Sequence, residues 1–316
     1  MLRRNLMLAS TSLALAAPAL GQERYASRAV TIMVGFTAGG TGDVVTRFIA
    51  QAMREKLGQN VVVENRPGAG GTLAAERLAR SRPDGYTLAL ATSSPFTVEP
   101  NTRQVPFDAT RDFTYLLQFL VTPHCAYVLA GSRFRSWDDV VAYARANPDG
   151  LRWGAPGRGG PFMAAEAAFR KLGISSIFVP YPGGAAAVTA LLGEQIDMVV
   201  SSDFPPLLDA GQVRLLAEIG PTRMPGMEAI PAFGELDYPL AIQIFLGLVG
   251  PAGLPPDVIA TWERGMREIM ASAEWAQLMS RIRAVSAFLP QRDFQQRVLA
   301  NHRDVGALVN QLGLRE

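Results

Sequence analysis

The sequence predicts an α/β fold in two lobes, each built on a parallel or mixed sheet covered by helices. Three observations predict it. The chain has 316 residues, more than one hydrophobic core usually serves. Short apolar runs rich in β-branched residues alternate with stretches whose apolar residues recur at helical spacing, the rhythm of strand-helix-strand units. No long linker or low-complexity segment divides the chain, so the lobes are not strung end to end. The chain crosses between them near residues 119–127 and again near 238–247.

The elements follow in order. Residues 1–21 read as a secretory signal peptide: Arg3 and Arg4 precede the apolar stretch from Leu6 to Ala17, and Ala17-Pro18-Ala19 offers a small-residue cleavage site. The paired arginines leave the general and twin-arginine export routes open. Val30 to Phe36 is a β-rich run, broken by Gly39-Gly40-Thr41-Gly42, and a helix follows from Asp43 until Gly58 stops it. Val61 to Val63 is a strand, Thr72 is expected to cap a helix running to about Arg80, and Tyr86 to Ala91 is another strand. Strands are expected at Tyr127 to Ala130, Leu151 to Ala155, Ile177 to Pro180, Ile196 to Val200 and Val213 to Ile219. Between them lie helices, the first running from Trp137 to Ala146 behind a Ser136 cap. Ile242 to Val249 is a long apolar strand, and helices over 256–270, 273–282 and 292–312 complete the chain.

Composition narrows the function. The chain carries 30 basic and 28 acidic residues. Removal of the signal peptide takes away Arg3 and Arg4 and leaves 28 against 28. Nucleic-acid binding needs a basic surplus or stripe, and neither is present. No later segment holds eighteen uninterrupted apolar residues. Cys125 is the single cysteine, which rules out an intrachain disulfide, and it adjoins His124 in an apolar run. Neighbours on a strand point to opposite faces, so this pair is a poor metal or nucleophile site. No metal and no cofactor is expected.

Three glycine-rich loops each join a strand to a helix: Gly39-Gly40-Thr41-Gly42, Gly157-Arg158-Gly159-Gly160 and Tyr181-Pro182-Gly183-Gly184-Ala185. Amides at a helix start bind anions, and glycine lets a ligand approach the main chain. The first loop alone is equally an ordinary turn with Asp43 stabilising the helix start. Three such loops at the carboxyl ends of strands point to a small anion held between two lobes, with its carboxylate on the helix that follows Gly40. No dinucleotide fingerprint, P-loop, G-x-S-x-G elbow or H-E-x-x-H motif is present. His302 reads as a solvated surface residue, Asp197 as a cap, and Asp203 as a pocket-rim residue. Ser93-Ser94 and Ser201-Ser202 read as polar donors. A serine hydrolase built on Ser93 or Ser94 would need a base that the sequence does not supply.

The phrases VGFTAGGTGDVVTRFIA (34–50), VVVENRPGAGG (61–71), PDGYTL (83–88), FVPYPGGAAAVTALLGEQID (178–197) and GLVGPAGLPPDVI (247–259) resemble the solute-binding proteins of tripartite tricarboxylate transporters, the Bug family, over essentially the whole mature chain. The resemblance implies a type II-like periplasmic binding fold with two crossing strands, the lobes being 22–124 with 241–316, and 125–240. It implies a monomer in the periplasm without enzymatic activity. Its ligand would be a small organic carboxylate and its partners the membrane subunits of a transporter, or alternatively a sensor receptor. Carried over by position, the ligand-binding residues are Phe36, Thr37, Ala38, Gly39, Gly40 and Asp43; Thr92, Ser93 and Ser94; Gly159, Gly160 and Met163; Tyr181, Gly183, Gly184 and Ala185; Ser201, Ser202, Asp203 and Phe204; and Phe245. Departures from the family pattern occur at Gly160, Met163, Gly184, Ser201 and Phe245. They suggest a pocket poorer in donors and a ligand with an apolar or aromatic body, walled by Phe162, Met163, Phe204 and Phe245.

Overall fold

The computed structural model describes residues 25–315; the signal-peptide reading falls outside them. The chain opens as a parallel unit: β1 (Val30–Val34), α1 (Thr41–Leu57), β2 (Val61–Asn65), α2 (Thr72–Ala79) and β3 (Thr87–Ala91), with β2 and β3 parallel to β1 on either side. Helix α1 forms because Val45, Ile49 and Met53 recur on one face, which is fully buried, and it ends at Gly58 in the left-handed conformation. A helical turn at Ser94–Val98 runs into the short α3 (Glu99–Thr102), which leads to β4 (Phe113–Thr122).

After Pro123 and His124 the chain enters a second sheet. There it forms β5 (Cys125–Leu129), α4 (Trp137–Ala146), β6 (Arg152–Pro156), α5 (Gly160–Leu172), β7 (Ile177–Tyr181), α6 (Gly184–Leu192), β8 (Met198–Ser201), α7 (Pro205–Asp209) and β9 (Val213–Glu218). It returns in β10 (Ile244–Pro251) and closes with α8 (Pro256–Met270), α9 (Ala273–Ile282), β11 (Val285–Leu289) and α10 (Gln291–Leu312). The sheets have the orders β11-β4-β10-β3-β1-β2 and β7-β6-β8-β5-β9. Both are mixed: β10 runs antiparallel to β3 and β4, and β5 antiparallel to β8 and β9. The two crossings lie side by side, with Ile244 opposite Thr122 and the Ile219 amide donating to the His124 carbonyl at 2.9 Å.

Strands β4 and β11 are absent from the sequence reading. Every residue of β4 is buried, so its run FTYLLQFLVT lacks the alternation that marks a half-exposed strand. Ser136 caps α4 as expected, its hydroxyl accepting from the Asp139 amide in a capping box. Thr72 does not cap α2; its hydroxyl donates to the Ala69 carbonyl. His302 is half-buried rather than solvated: Nδ1 lies 3.2 Å from the Phe96 carbonyl, and Asn101 donates to the His302 carbonyl at 2.8 Å.

Helix α10 serves both sheets. Phe294 packs edge-on to Tyr115 and Phe245 in the first, whereas Val305 and Val309 join the core cluster of the second.

Candidate functional site

A cavity of about 70 Å³ lies between the sheets, where the loops after β1, β3, β6, β7 and β8 converge. One water needs roughly 10–15 Å³ by this measure, so the space accommodates several waters or one small molecule. From the first sheet side come Phe36, Thr37, Gly40, Thr41, Asp43, Thr92, Ser93 and Ser94; from the second, Pro156, Pro161, Gly184, Ser202 and Asp203. The crossing segments add Thr122, His124, Ile244 and Leu246.

Ten residues expected at the site thus line one cavity: Phe36, Thr37, Gly40, Asp43, Thr92, Ser93, Ser94, Gly184, Ser202 and Asp203. The others stand elsewhere. Ala38 and Gly39 are exposed on the loop. Ser201 is fully buried, its hydroxyl 2.7 Å from the Tyr127 hydroxyl. Gly160 donates its amide to the Ser94 hydroxyl at 3.3 Å. Gly159 and Gly183 form the seam between the loops: a Cβ on Gly159 would stand 1.6 Å from Ser94 Oγ, and one on Gly183 2.2 Å from Thr37 Oγ1. Tyr181 lies against Gly154, and Ala185 is half-buried in the first turn of α6. The expected aromatic walls are core residues instead. Phe162 stacks on Trp153, and Met163, Phe204 and Phe245 are buried in the two cores that flank the cavity. A fully apolar side chain flanked by a core gains more there than at a wet cleft. The apolar lining is supplied by Phe36, Leu90, Pro156, Pro161, Ile244 and Leu246.

Polar chemistry in the cavity comes from hydroxyls. The Oγ atoms of Thr37, Thr92 and Ser93 are buried and have no hydrogen-bond partner among the described residues. Thr92 is 7% and Ser93 2% exposed, so bulk water does not satisfy them. Buried polar groups are nearly always paired, and three such orphans around one cavity indicate partners supplied by an occupant. Among the described residues no histidine or carboxylate bonds Ser93, and Ser94 Oγ accepts from Gly160, so neither serine has there the base contact of an activated nucleophile.

The start of α1 is already taken. Asp203 Oδ1 accepts from the Thr41 amide at 2.7 Å and from the Thr41 hydroxyl at 3.1 Å, while that hydroxyl also lies 3.1 Å from the Ser202 carbonyl. The Asp203 carboxylate thus occupies the helix terminus on which the loop reading placed a ligand's carboxylate. Burial pushes the Asp203 carboxyl above its ordinary value, against hydrogen bonds from Thr41 and Ser201. Asp43 moves the other way: burial opposes its ionisation, but hydrogen bonds from Arg47, the Gly39 amide and Asn65 outweigh that and hold it below the usual value. His124, which the sequence ranked low, lines the cavity; burial pushes it down to about 4, leaving a neutral imidazole whose Nδ1 lies 3.4 Å from the Thr122 carbonyl. Its side chain lines the cavity, whereas that of Cys125, the first residue of β5, lies in a core beside Met227. Among the described residues no group of three or more His, Cys, Asp or Glu side chains could hold a metal ion.

Comparison with known proteins places this geometry. Residues 45–314 match the model of the tripartite tricarboxylate transporter family receptor. Protein BugT of Bordetella pertussis is 30% identical, over 82% of this chain and 81% of its own. Among solved structures, a periplasmic transporter superposes with a TM-score of 0.87 at 27% identity, covering 92% of this chain and 99% of that one. An R. palustris protein solved with adipate gives a TM-score of 0.83 at 26% identity, covering 92% and 98%.

Proposed function

The chain belongs to the tripartite tricarboxylate transporter receptor family, the Bug proteins, and from that premise we propose that it is a periplasmic solute-binding protein that captures a small organic carboxylate in the cavity between its lobes. The lobes of this reading are 22–124 with 241–316, and 125–240. The observation that carries it is the set of orphan hydroxyls of Thr37, Thr92 and Ser93 around an otherwise largely apolar space. These hydroxyls donate to the carboxylate, and Phe36, Leu90, Ile244 and Leu246 cover its body. Binding draws the second lobe onto the first by a hinge at the two crossings, and the closed form is delivered to the membrane subunits of the transporter. No chemical step takes place. Export through the basic and apolar segment at residues 1–21 brings the protein, a monomer, to its compartment. The solved relative with adipate supports a carboxylate as the cargo.

Thermal unfolding of the mature protein against aliphatic and aromatic mono-, di- and tricarboxylates tests the reading. A ligand at a hundredfold excess over Kd stabilises the folded form by about 2.7 kcal/mol, an easily read rise in midpoint. No shift with any acid would refute it.

A further inference from the structure

We propose that His124 is a specificity-determining residue: its Nε2 accepts a hydrogen bond from the ligand, so the cavity prefers an acid that also carries a hydroxyl group. The proposal rests on the carboxylate-binding reading and narrows its substrate class.

His124 stands at the first crossing, after the end of β4 and before the start of β5. Residues 113–128 are all buried except His124, and the surface it keeps belongs to a residue that lines the cavity. Its two ring nitrogens are not equivalent. Nδ1 lies 3.4 Å from the Thr122 carbonyl oxygen, which can only accept, so Nδ1 carries the proton. Burial keeps the ring neutral at neutral pH, so Nε2 holds a lone pair and acts as an acceptor. No hydrogen bond reaches Nε2 from the described residues. An enclosed acceptor of this kind is satisfied by a donor that the occupant brings.

The rest of the lining leaves this role to His124. The hydroxyls of Thr37, Thr92 and Ser93 are free to donate to a ligand carboxylate. The two acidic side chains are engaged within the protein. Asp43 accepts from Arg47, Asn65 and the Gly39 amide, and Asp203 from the amide and hydroxyl of Thr41. A carboxylate oxygen brings only lone pairs and cannot satisfy Nε2, whereas a hydroxyl brings a proton. A methylene in the same place displaces water and leaves the nitrogen unpaired, which is how a polar site rejects an analogue that lacks the hydroxyl.

The test uses matched acids that differ by one hydroxyl: propionate and lactate, butyrate and its 2-, 3- and 4-hydroxy derivatives, succinate and malate. Each is titrated calorimetrically into wild type, His124→Phe and His124→Gln at pH 7.5, together with the methyl ether of the best hydroxy acid, which keeps the oxygen and loses the proton. In wild type a hydroxy acid should bind about tenfold more tightly than its parent, and its ether should not. His124→Phe should abolish the preference, and His124→Gln, whose amide oxygen accepts, should restore part of it. The chain has only two histidines, so nitrogen-15 labelling of histidine reads Nε2 in the wild type, with His302 as the internal reference. Its resonance should be that of an unprotonated nitrogen and should move to the hydrogen-bonded position with the hydroxy acid alone. Parent acids bound as tightly as their hydroxy derivatives overturn the proposal and leave the carboxylate reading intact. A hydroxyl preference unchanged in His124→Phe, or an Nε2 that carries the proton, overturns it as well. Binding of none of these acids overturns the proposal, and failure of every acid in the thermal panel refutes the underlying reading with it. Should the variants not fold, the wild-type titrations and the nitrogen-15 spectrum decide.

Discussion

Substituting alanine for Gly183 should block lobe closure without disturbing either lobe. Gly183 has φ 174, extended backbone that any residue adopts, so the variant carries no local strain. The obstacle lies across the seam: the new Cβ would stand 2.2 Å from Thr37 Oγ1 and 2.8 Å from the Thr37 amide nitrogen. A hydroxyl can rotate aside, but a backbone amide cannot, and 2.8 Å falls well short of ordinary non-bonded contact. The loops must part, which stretches the Thr41–Asp203 bonds of 2.7 and 3.1 Å and the Thr41–Ser202 bond of 3.1 Å. The Thr41 hydroxyl shares one proton between its two acceptors, so two bonds are at stake; at about 1 kcal/mol each, the closed form loses on the order of 2 kcal/mol. A ligand that binds the closed form then loses roughly thirtyfold in affinity. Calorimetric titration with the best acid of the panel measures this, and the thermal midpoint of the unliganded variant should stay at the wild-type value. Gly131→Ala is the control, since a Cβ there meets nothing within 4 Å. Affinity of Gly183→Ala within threefold of wild type would show that the seam does not close on the ligand.

Ser93→Ala removes a buried hydroxyl with no partner, so the unliganded protein should hold or gain stability, by up to about 1 kcal/mol, while affinity falls about tenfold; urea unfolding and titration read the two effects, and a joint loss would mark Ser93 as structural. Glu218, at 1% exposure, has its carboxyl lifted by burial to about 7, against the Met224 amide that donates to it at 2.8 Å. The folded state therefore holds this proton more tightly than the unfolded chain does. The resulting stability is fully present below about 4.5 and is lost as pH rises towards 7, by on the order of 2–3 kcal/mol. Glu218→Gln should flatten that decline in the urea midpoint, and a wild-type midpoint that does not fall across this range would refute it.

Much of this site is legible in the sequence because its backbone demands are. Gly40, Gly183 and Gly184 stand at strand-to-helix turns, and punctuation of that kind needs no tertiary knowledge. What lies across from them does need it. Gly159 and Gly183 pack against Ser94 and Thr37, partners more than sixty residues away, a closeness that the sequence alone does not show. Asp203 could be placed near the rim, but its bond to Thr41 crosses 162 residues. Phe204 and Phe245 mislead for a related reason: an aromatic beside a pocket loop looks the same in sequence whether it turns towards the cavity or into the core, and both turn inward. Strand β4 was hidden by its uniform burial, and His124 by sitting at a crossing where the strand pattern is interrupted.

The double attachment of α10 bears on the hinge motion proposed above. Phe294 anchors its beginning to the first sheet, and Val305 and Val309 bed its end in the second core. A continuous helix of 22 residues cannot follow two bodies that rotate apart. Opening the cleft must bend it or slide its last turns out of their packing, and close-packed side chains resist both. On the proposed hinge motion the helix is a leaf spring: it limits how far the lobes swing and pulls them back. None of its residues lines the cavity, so its flexure carries the state of the cleft to a surface that the ligand never touches.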